Sequence, residues 1–213
     1  MASDLREQLE NVLASGLSED RLEHAGQVAR IAGVLHRAFG EAGLRSTIVG
    51  GSAIELHAPG VYLSGDIDLV VERVRRQAEQ IEAVFESLGF ERRGRHWRIG
   101  DLFVEVPSRT LDDPSEFMRV GDAVFEIVRK EVVLADRIVG FRQWEVLAWG
   151  QQAIDLLAAF GSEIDEKWLR GKLEHEGSLD ALEPLRTLAG NDKPVTEGTL
   201  RELLAGLRSK MQR

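Results

Sequence analysis

Thr47-Ile48-Val49-Gly50-Gly51-Ser52 and, beyond an Ala58-Pro59-Gly60 break, Asp66-Ile67-Asp68-Leu69-Val70-Val71 are the stretches that decide the fold of this chain. The apolar run over 46–49 reads as a short buried strand, and residues 52–57 as a turn of helix. The glycine pair between them lets backbone approach a ligand closely, and the helix start offers unpaired N–H groups to an anion, phosphate being the natural guest. Residues Asp66 to Glu72 read as the next strand. Side chains alternate along a strand, so Asp66 and Asp68 share one face while Ile67 and Leu69 enter the core. Two like charges so placed repel unless a divalent cation lies between them, and oxygen donors suit Mg²⁺ or Mn²⁺, which also bind triphosphate oxygens. Each motif by itself is more simply a plain tight turn or a solvated strand face.

A third acid strengthens the pattern. Glu105 sits in Leu102-Phe103-Val104-Glu105-Val106-Pro107, an otherwise apolar strand that Pro107 brings to an end. An unpaired buried carboxylate is expensive, so either a metal shared with Asp66 and Asp68 compensates it or the strand is an edge with Glu105 facing water. Two hairpins are predicted, Arg95–Ile99 with Leu102–Val106 about Gly100-Asp101, and Phe117–Val120 with Ala123–Val128 about Gly121-Asp122. The run Arg92-Arg93-Gly94-Arg95-His96-Trp97-Arg98 is the densest basic segment. Its arginine forks beside a tryptophan either hold triphosphate, stack an RNA base, or simply solvate a hairpin. Histidines 24, 36, 57, 96 and 175 show no ligand-spaced pairing.

Around this centre the chain is helical. Apolar residues including Leu22, Val28, Leu35 and Phe39 recur at three and four, with Ser18 placed to cap. Arg73 to Leu88 repeats the same spacing, Arg73, Arg75 and Arg76 forming a solvated helix start and Gly89 the residue past its end. From Glu131 onward helices are predicted over 131–148, 151–160, 163–175, 179–189 and 197–211, with a capping box from Ser162 to Asp165 and Thr196 capping the last. Trp144, Trp149 and Trp168, with Phe141 and Phe160, read as the aromatic core of this part, and Arg137 and Asp155 either reach the active cleft or form an interhelical ion pair. The expected domains are therefore 1–130 and 131–213.

Composition bounds the chemistry. The chain has 213 residues, no cysteine and a formal net charge of −9. Disulfides, thiolate metal sites and cysteine nucleophiles are excluded, so any metal rests on oxygen or imidazole. The negative charge argues against sequence-independent coating of nucleic acid, though a local basic patch can still recruit RNA. No apolar stretch approaches the ~18 residues of a membrane span, and the N-terminus lacks the apolar block of a secretory signal, so a cytoplasmic protein without membrane attachment is expected.

Taken jointly and in this order, the strand, the Gly50-Gly51-Ser52 turn, the Asp66-x-Asp68 strand and the later acid Glu105 resemble the nucleotidyltransferase superfamily that includes DNA polymerase β and the aminoglycoside nucleotidyltransferases. Within it, Val49-Gly50-Gly51-Ser52-Ala53-Ile54-Glu55-Leu56-His57 and Ser64-Gly65-Asp66-Ile67-Asp68-Leu69 are similar to two motifs of the AbiEii-like toxin branch of minimal bacterial members. The core resemblance covers residues 46–107. Departures are Glu105 where Asp is usual, Tyr62 where toxin members often carry Arg, and Asp136-Arg137 in place of a more typical Lys pairing. The resemblance implies an α+β fold with a small mixed sheet flanked by helices and followed by a C-terminal helical bundle. It implies transfer of a nucleoside monophosphate from an NTP, ATP among them, to an acceptor hydroxyl on RNA, a protein or a small molecule, with release of pyrophosphate. Asp66, Asp68 and Glu105 would be the catalytic and metal-binding residues, holding Mg²⁺ or Mn²⁺. Gly50, Gly51, Ser52 and Ser64 would be the nucleotide-binding set. The alternatives are a non-catalytic nucleotide-binding or interaction module of the same fold, and the toxin of a toxin–antitoxin pair with an antitoxin partner. A metal-dependent glycosyltransferase, which also uses Asp-x-Asp, is disfavoured by the early motif and the turn before it.

Overall fold

A computed structural model describes residues 2–72, 78–108, 110–191 and 194–211, and the side chains of all of these except Ala2, Lys210 and Met211. The helix start expected at Arg73, Arg75 and Arg76 lies outside the described residues. Two compact units are formed, Met1–Arg129 and Lys130–Arg213.

The first unit contains helices α1 (Ala2–Leu13), α2 (Arg21–Glu41), α3 (Gly50–His57) and α4 (Ala78–Ser87), and strands β1 (Ser46–Ile48), β2 (Ile67–Val71), β3 (Glu91–Arg93), β4 (His96–Ile99), β5 (Leu102–Glu105), β6 (Ser115–Val120) and β7 (Ala123–Val128). The strands form one mixed sheet in the order β3-β4-β5-β2-β1-β7-β6. β1 pairs antiparallel with β2 and parallel with β7, and β2 pairs parallel with β5. Both predicted two-residue hairpins form, with Ile99 opposite Leu102 and Val120 opposite Ala123.

The sheet is apolar on the face its helices cover. Ile67, Val104 and Trp97 stand side by side on that face and are buried. The Trp97 ring stacks on Phe85 of α4 with centroids 4.6 Å apart, and Phe85 meets Phe39 of α2 edge-on at 5.2 Å. Trp97 is thus a core residue, not an open ring for a base. α2 is capped by Asp20, not Ser18: the Asp20 carboxylate accepts the N–H groups of Leu22 and Glu23 at 3.0 and 2.9 Å. Ser18 stands two residues earlier, where its hydroxyl accepts the Asp20 N–H. With the helix starting later than Ser18 implied, Leu22 lies in its first turn and is 66% exposed.

The second unit contains α5 (Lys130–Trp144), α6 (Leu147–Phe160), α7 (Glu166–His175), a 3-10 turn (Leu179–Ala181), α8 (Leu182–Ala189) and α9 (Glu197–Met211). The helix expected over 131–148 instead breaks after Trp144, where Glu145 adopts φ +58°. The core of this unit is aliphatic, built on Leu156, Leu169, Leu173, Leu182 and Leu185 with Phe141 and Phe160. Trp144 is 65% exposed, and the Arg137 guanidinium lies 4.5 Å over the Trp149 ring, so the tryptophans line the unit and do not fill it. Asp155 accepts from Gln151. α7 is capped by Asp165 through the Trp168 N–H, and Thr196 accepts the Thr199 N–H at the start of α9. No described helix is long and apolar enough to cross a membrane.

Candidate active site

Strand register assembles the site. Parallel pairing sets Asp68 of β2 beside Glu105 of β5, and antiparallel pairing sets Glu105 opposite His96 of β4. Alternation brings Phe103 and Arg98 out on the same side, so one face of three adjacent strands is polar while the other is packed against helices. Asp66 stands immediately ahead of β2. One carboxylate oxygen each from Asp66 and Glu105 and a ring nitrogen of His96 all lie within 4.8 Å of one another.

The helix expected from residue 52 begins instead at Gly50, and this first turn of α3, Gly50–Ser52, adjoins the polar face and is fastened to it. The Gly51 N–H donates to Asp68 Oδ2 at 2.9 Å, and the Val49 N–H to the Asp68 carbonyl at 3.0 Å. Gly50 has φ +58°, and a Cβ there would fall 2.2 Å from Asp68 Oδ2. Only glycine combines that backbone conformation with so close a carboxylate. The Ser52 hydroxyl donates to the Asp66 carbonyl at 2.8 Å and accepts the Asp68 N–H at 3.2 Å. The Ser64 hydroxyl donates to the same Asp66 carbonyl at 2.7 Å. Both serines are buried, so they grip the Asp66–Asp68 backbone from behind.

A further layer holds Ser64. Glu55 of α3 is fully buried and accepts the Ser64 N–H at 2.9 Å, while its other oxygen pairs with His24 Nδ1. A hydrogen-bonded chain thus runs from a buried Glu–His pair through the N–H and hydroxyl of Ser64 to the Asp66 carbonyl. On the open side, Glu105 has Arg95 Nε 3.2 Å from one oxygen and His96 Nε2 3.4 Å from the other. The Arg95 side chain is 77% exposed, and a surface pair of this kind contributes about 0–1 kcal/mol, little resistance to an incoming cation.

Of the residues expected from sequence, Asp66 and Glu105 converge. Asp68 lies next to Glu105 in register but turns one oxygen to Gly51. Gly50 and Gly51 border Asp68, whereas Ser52 and Ser64 serve the Asp66 carbonyl. Three participants were not anticipated: His96, read only as part of a basic run, and the Glu55–His24 pair. His96 was accessible from the predicted hairpin, because a two-residue turn at Gly100-Asp101 necessarily puts residue 96 opposite 105. Of the arginines of that run, Arg93 is tied to Glu91 and Arg98 to the Gly100 carbonyl over the Phe103 ring, while Arg95 reaches Glu105. Two carboxylates and an imidazole suit a divalent ion with oxygen and nitrogen preference.

No family model and no curated protein matches the chain. Among solved structures it is similar to an antigenic nucleotidyltransferase-like protein from Paracoccidioides brasiliensis, with a TM-score of 0.55 and 16% identity over 87% of this chain and 99% of that one. The antibiotic-resistance factor ANT(2'')-Ia aligns over 100% of this chain and 95% of its own at 15% identity, with a TM-score of 0.41. Likeness at such identity establishes architecture alone, and the architecture is a nucleotidyltransferase-like α+β fold.

Proposed function

We propose that this protein transfers a nucleoside monophosphate from an NTP to an acceptor hydroxyl, on RNA, a protein or a small molecule, and releases pyrophosphate. The observation that carries the reading is the meeting of Asp66 and Glu105, with Asp68 alongside, on an open sheet face next to the Gly50–Ser52 turn. In the reaction the acceptor oxygen forms a bond to the α-phosphorus as the bond from that phosphorus to its bridging oxygen breaks, and the electron pair leaves on pyrophosphate. Mg²⁺ or Mn²⁺ held by Asp66, Asp68 and Glu105 would neutralise phosphate charge and stabilise the leaving group. Glu105 is suited to receive the acceptor proton, since its carboxylate stands on the open face. Gly50 and Gly51, both partly accessible, offer the phosphates backbone without Cβ atoms, while Ser52 and Ser64 act as positioning residues through Asp66.

The test is incubation with each labelled NTP, Mg²⁺ or Mn²⁺, and total cellular RNA or protein. Asp66→Asn and Glu105→Gln are each expected to reduce labelling by about 100-fold or more while circular dichroism stays that of the parent. Equal labelling by the parent and both variants overturns the assignment. One observation favours a second reading, an interaction module of the same fold that takes up no nucleotide: the Gly51 N–H and both serine hydroxyls are already bonded inside the protein. Calorimetry with NTP and Mg²⁺ separates the two, because the absence of both binding and labelling supports the module.

A further inference from the structure

We propose that His96 is itself a cation ligand, completing with Asp66 and Glu105 a set of two carboxylates and one imidazole that selects a first-row transition dication over Mg²⁺. The inference deepens the proposed function by naming the class of its cofactor, and it rests on that reading for the use to which the ion is put.

Geometry comes first. His96 Nε2 and Glu105 Oε2 are 3.4 Å apart, and one ring nitrogen of His96 and one carboxylate oxygen each of Glu105 and Asp66 lie within 4.8 Å of one another. Adjacent donors on an ion with bonds of about 2.1 Å are about 3 Å apart, so small side-chain rotations bring all three into range. The imidazole is also held in place: antiparallel register fixes its backbone opposite Glu105, and the ring meets Phe103 edge-on with centroids 6.3 Å apart. Its side chain is 27% exposed, at neither the core nor the open surface.

Charge balance alone does not account for a histidine here. Arg95 already stands against one Glu105 oxygen through an exposed side chain, and a further arginine or lysine would serve charge balance as well as a histidine. What imidazole supplies and arginine cannot is a nitrogen lone pair. Mg²⁺ prefers oxygen donors and retains its water, whereas nitrogen ligation raises affinity along the series from Mn²⁺ through Co²⁺ to Zn²⁺. With no cysteine in the chain, imidazole is the softest donor side chain with high affinity for such ions.

The full chain, stripped of metal by a chelator, is titrated calorimetrically with Co²⁺, Mn²⁺ and Mg²⁺, and the Co²⁺ form is recorded by proton NMR. One Co²⁺ per chain is expected, bound at least about tenfold more tightly than Mg²⁺, with an imidazole N–H resonance shifted far outside the diamagnetic range. His96→Gln should weaken Co²⁺ binding by about tenfold or more, remove that resonance and leave Mg²⁺ binding within about twofold. His175→Gln, at the exposed end of α7, should change none of these. Unchanged Co²⁺ preference in His96→Gln, or Co²⁺ binding by the parent without a shifted imidazole proton, overturns the inference. The nucleotide assay keeps the two questions apart. Co²⁺ selectivity through His96 with no labelling sustains the inference and removes the transferase, while labelling with unchanged selectivity in His96→Gln does the reverse.

Discussion

Glu55 makes a heavy demand on the first unit, because a carboxylate with no exposure must find partners for both oxygens. It finds His24 on α2 and the Ser64 N–H, and Ser64 in turn holds the Asp66 carbonyl. Removing the carboxylate strands a buried imidazole and a buried N–H at once. Glu55→Ala is therefore expected to cost about 3–5 kcal/mol in urea denaturation, and Glu55→Gln about 1–3 kcal/mol because its amide oxygen still accepts from Ser64. Equal costs for the two substitutions would show that the acceptor at Ser64 contributes nothing. A loss below about 1 kcal/mol for Glu55→Ala would show that the pair does not hold the loop.

At the scale of elements, close helix approach is the feature most easily tested. α5 and α6 meet across glycines: a Cβ on Gly140 would fall 1.6 Å from Trp149 Cε3, and one on Gly150 would fall 2.5 Å from Phe141 Cδ2. A ring cannot retreat by that distance without moving a helix. Gly140→Ala is expected to lower stability by about 3 kcal/mol, and combining it with Trp149→Leu should recover part of the loss, a coupling read from a double-mutant cycle. Additive costs would mean that the ring is not what the methyl group meets. This contact also shows where sequence patterns stop informing. Helical periodicity marks both α5 and α6, yet nothing in Trp144-Glu145-Val146 is a breaker, so the boundary follows from packing. β3 escaped notice for a different reason: Glu91-Arg92-Arg93 is polar and exposed throughout, leaving no alternation to read. The hairpins were legible because Gly100-Asp101 and Gly121-Asp122 fix register, and Asp66 and Glu105 because acids beside apolar strands stand out. Glu55 and His24 lie 31 residues apart, and no local signal links them.

For the whole molecule the controlling quantity is charge, −9 at neutral pH, and each unit contains a carboxylate held below its ordinary range by arginine. In the first, hydrogen bonding from Arg45 lowers Glu126 against an opposing burial effect, with Ser115 assisting. In the second, Arg186 and then Arg170 lower Glu166, but that side chain is 43% exposed and its contribution is screened. Glu126 is 7% exposed and carries more weight. A carboxylate whose folded pKa lies below its unfolded value binds fewer protons when folded, so stability rises with pH across that interval. Its contribution is complete above the ordinary value of 4.5 and is lost as pH falls through the lower folded value. Urea midpoints are accordingly expected to fall as pH drops below that ordinary value, and Glu126→Gln should be less stable than the parent at neutral pH while losing less on acidification. Part of the acid loss must survive in that variant, because protonating 36 acidic residues leaves the chain's 27 lysines and arginines to repel one another. That residual loss should shrink as salt is added, whereas the share assigned to the part-buried Arg45–Glu126 contact should be less sensitive to screening. Parallel acid limbs for the parent and Glu126→Gln at every ionic strength would transfer the whole pH dependence to net charge and leave the Arg45 contact with no measurable part in it.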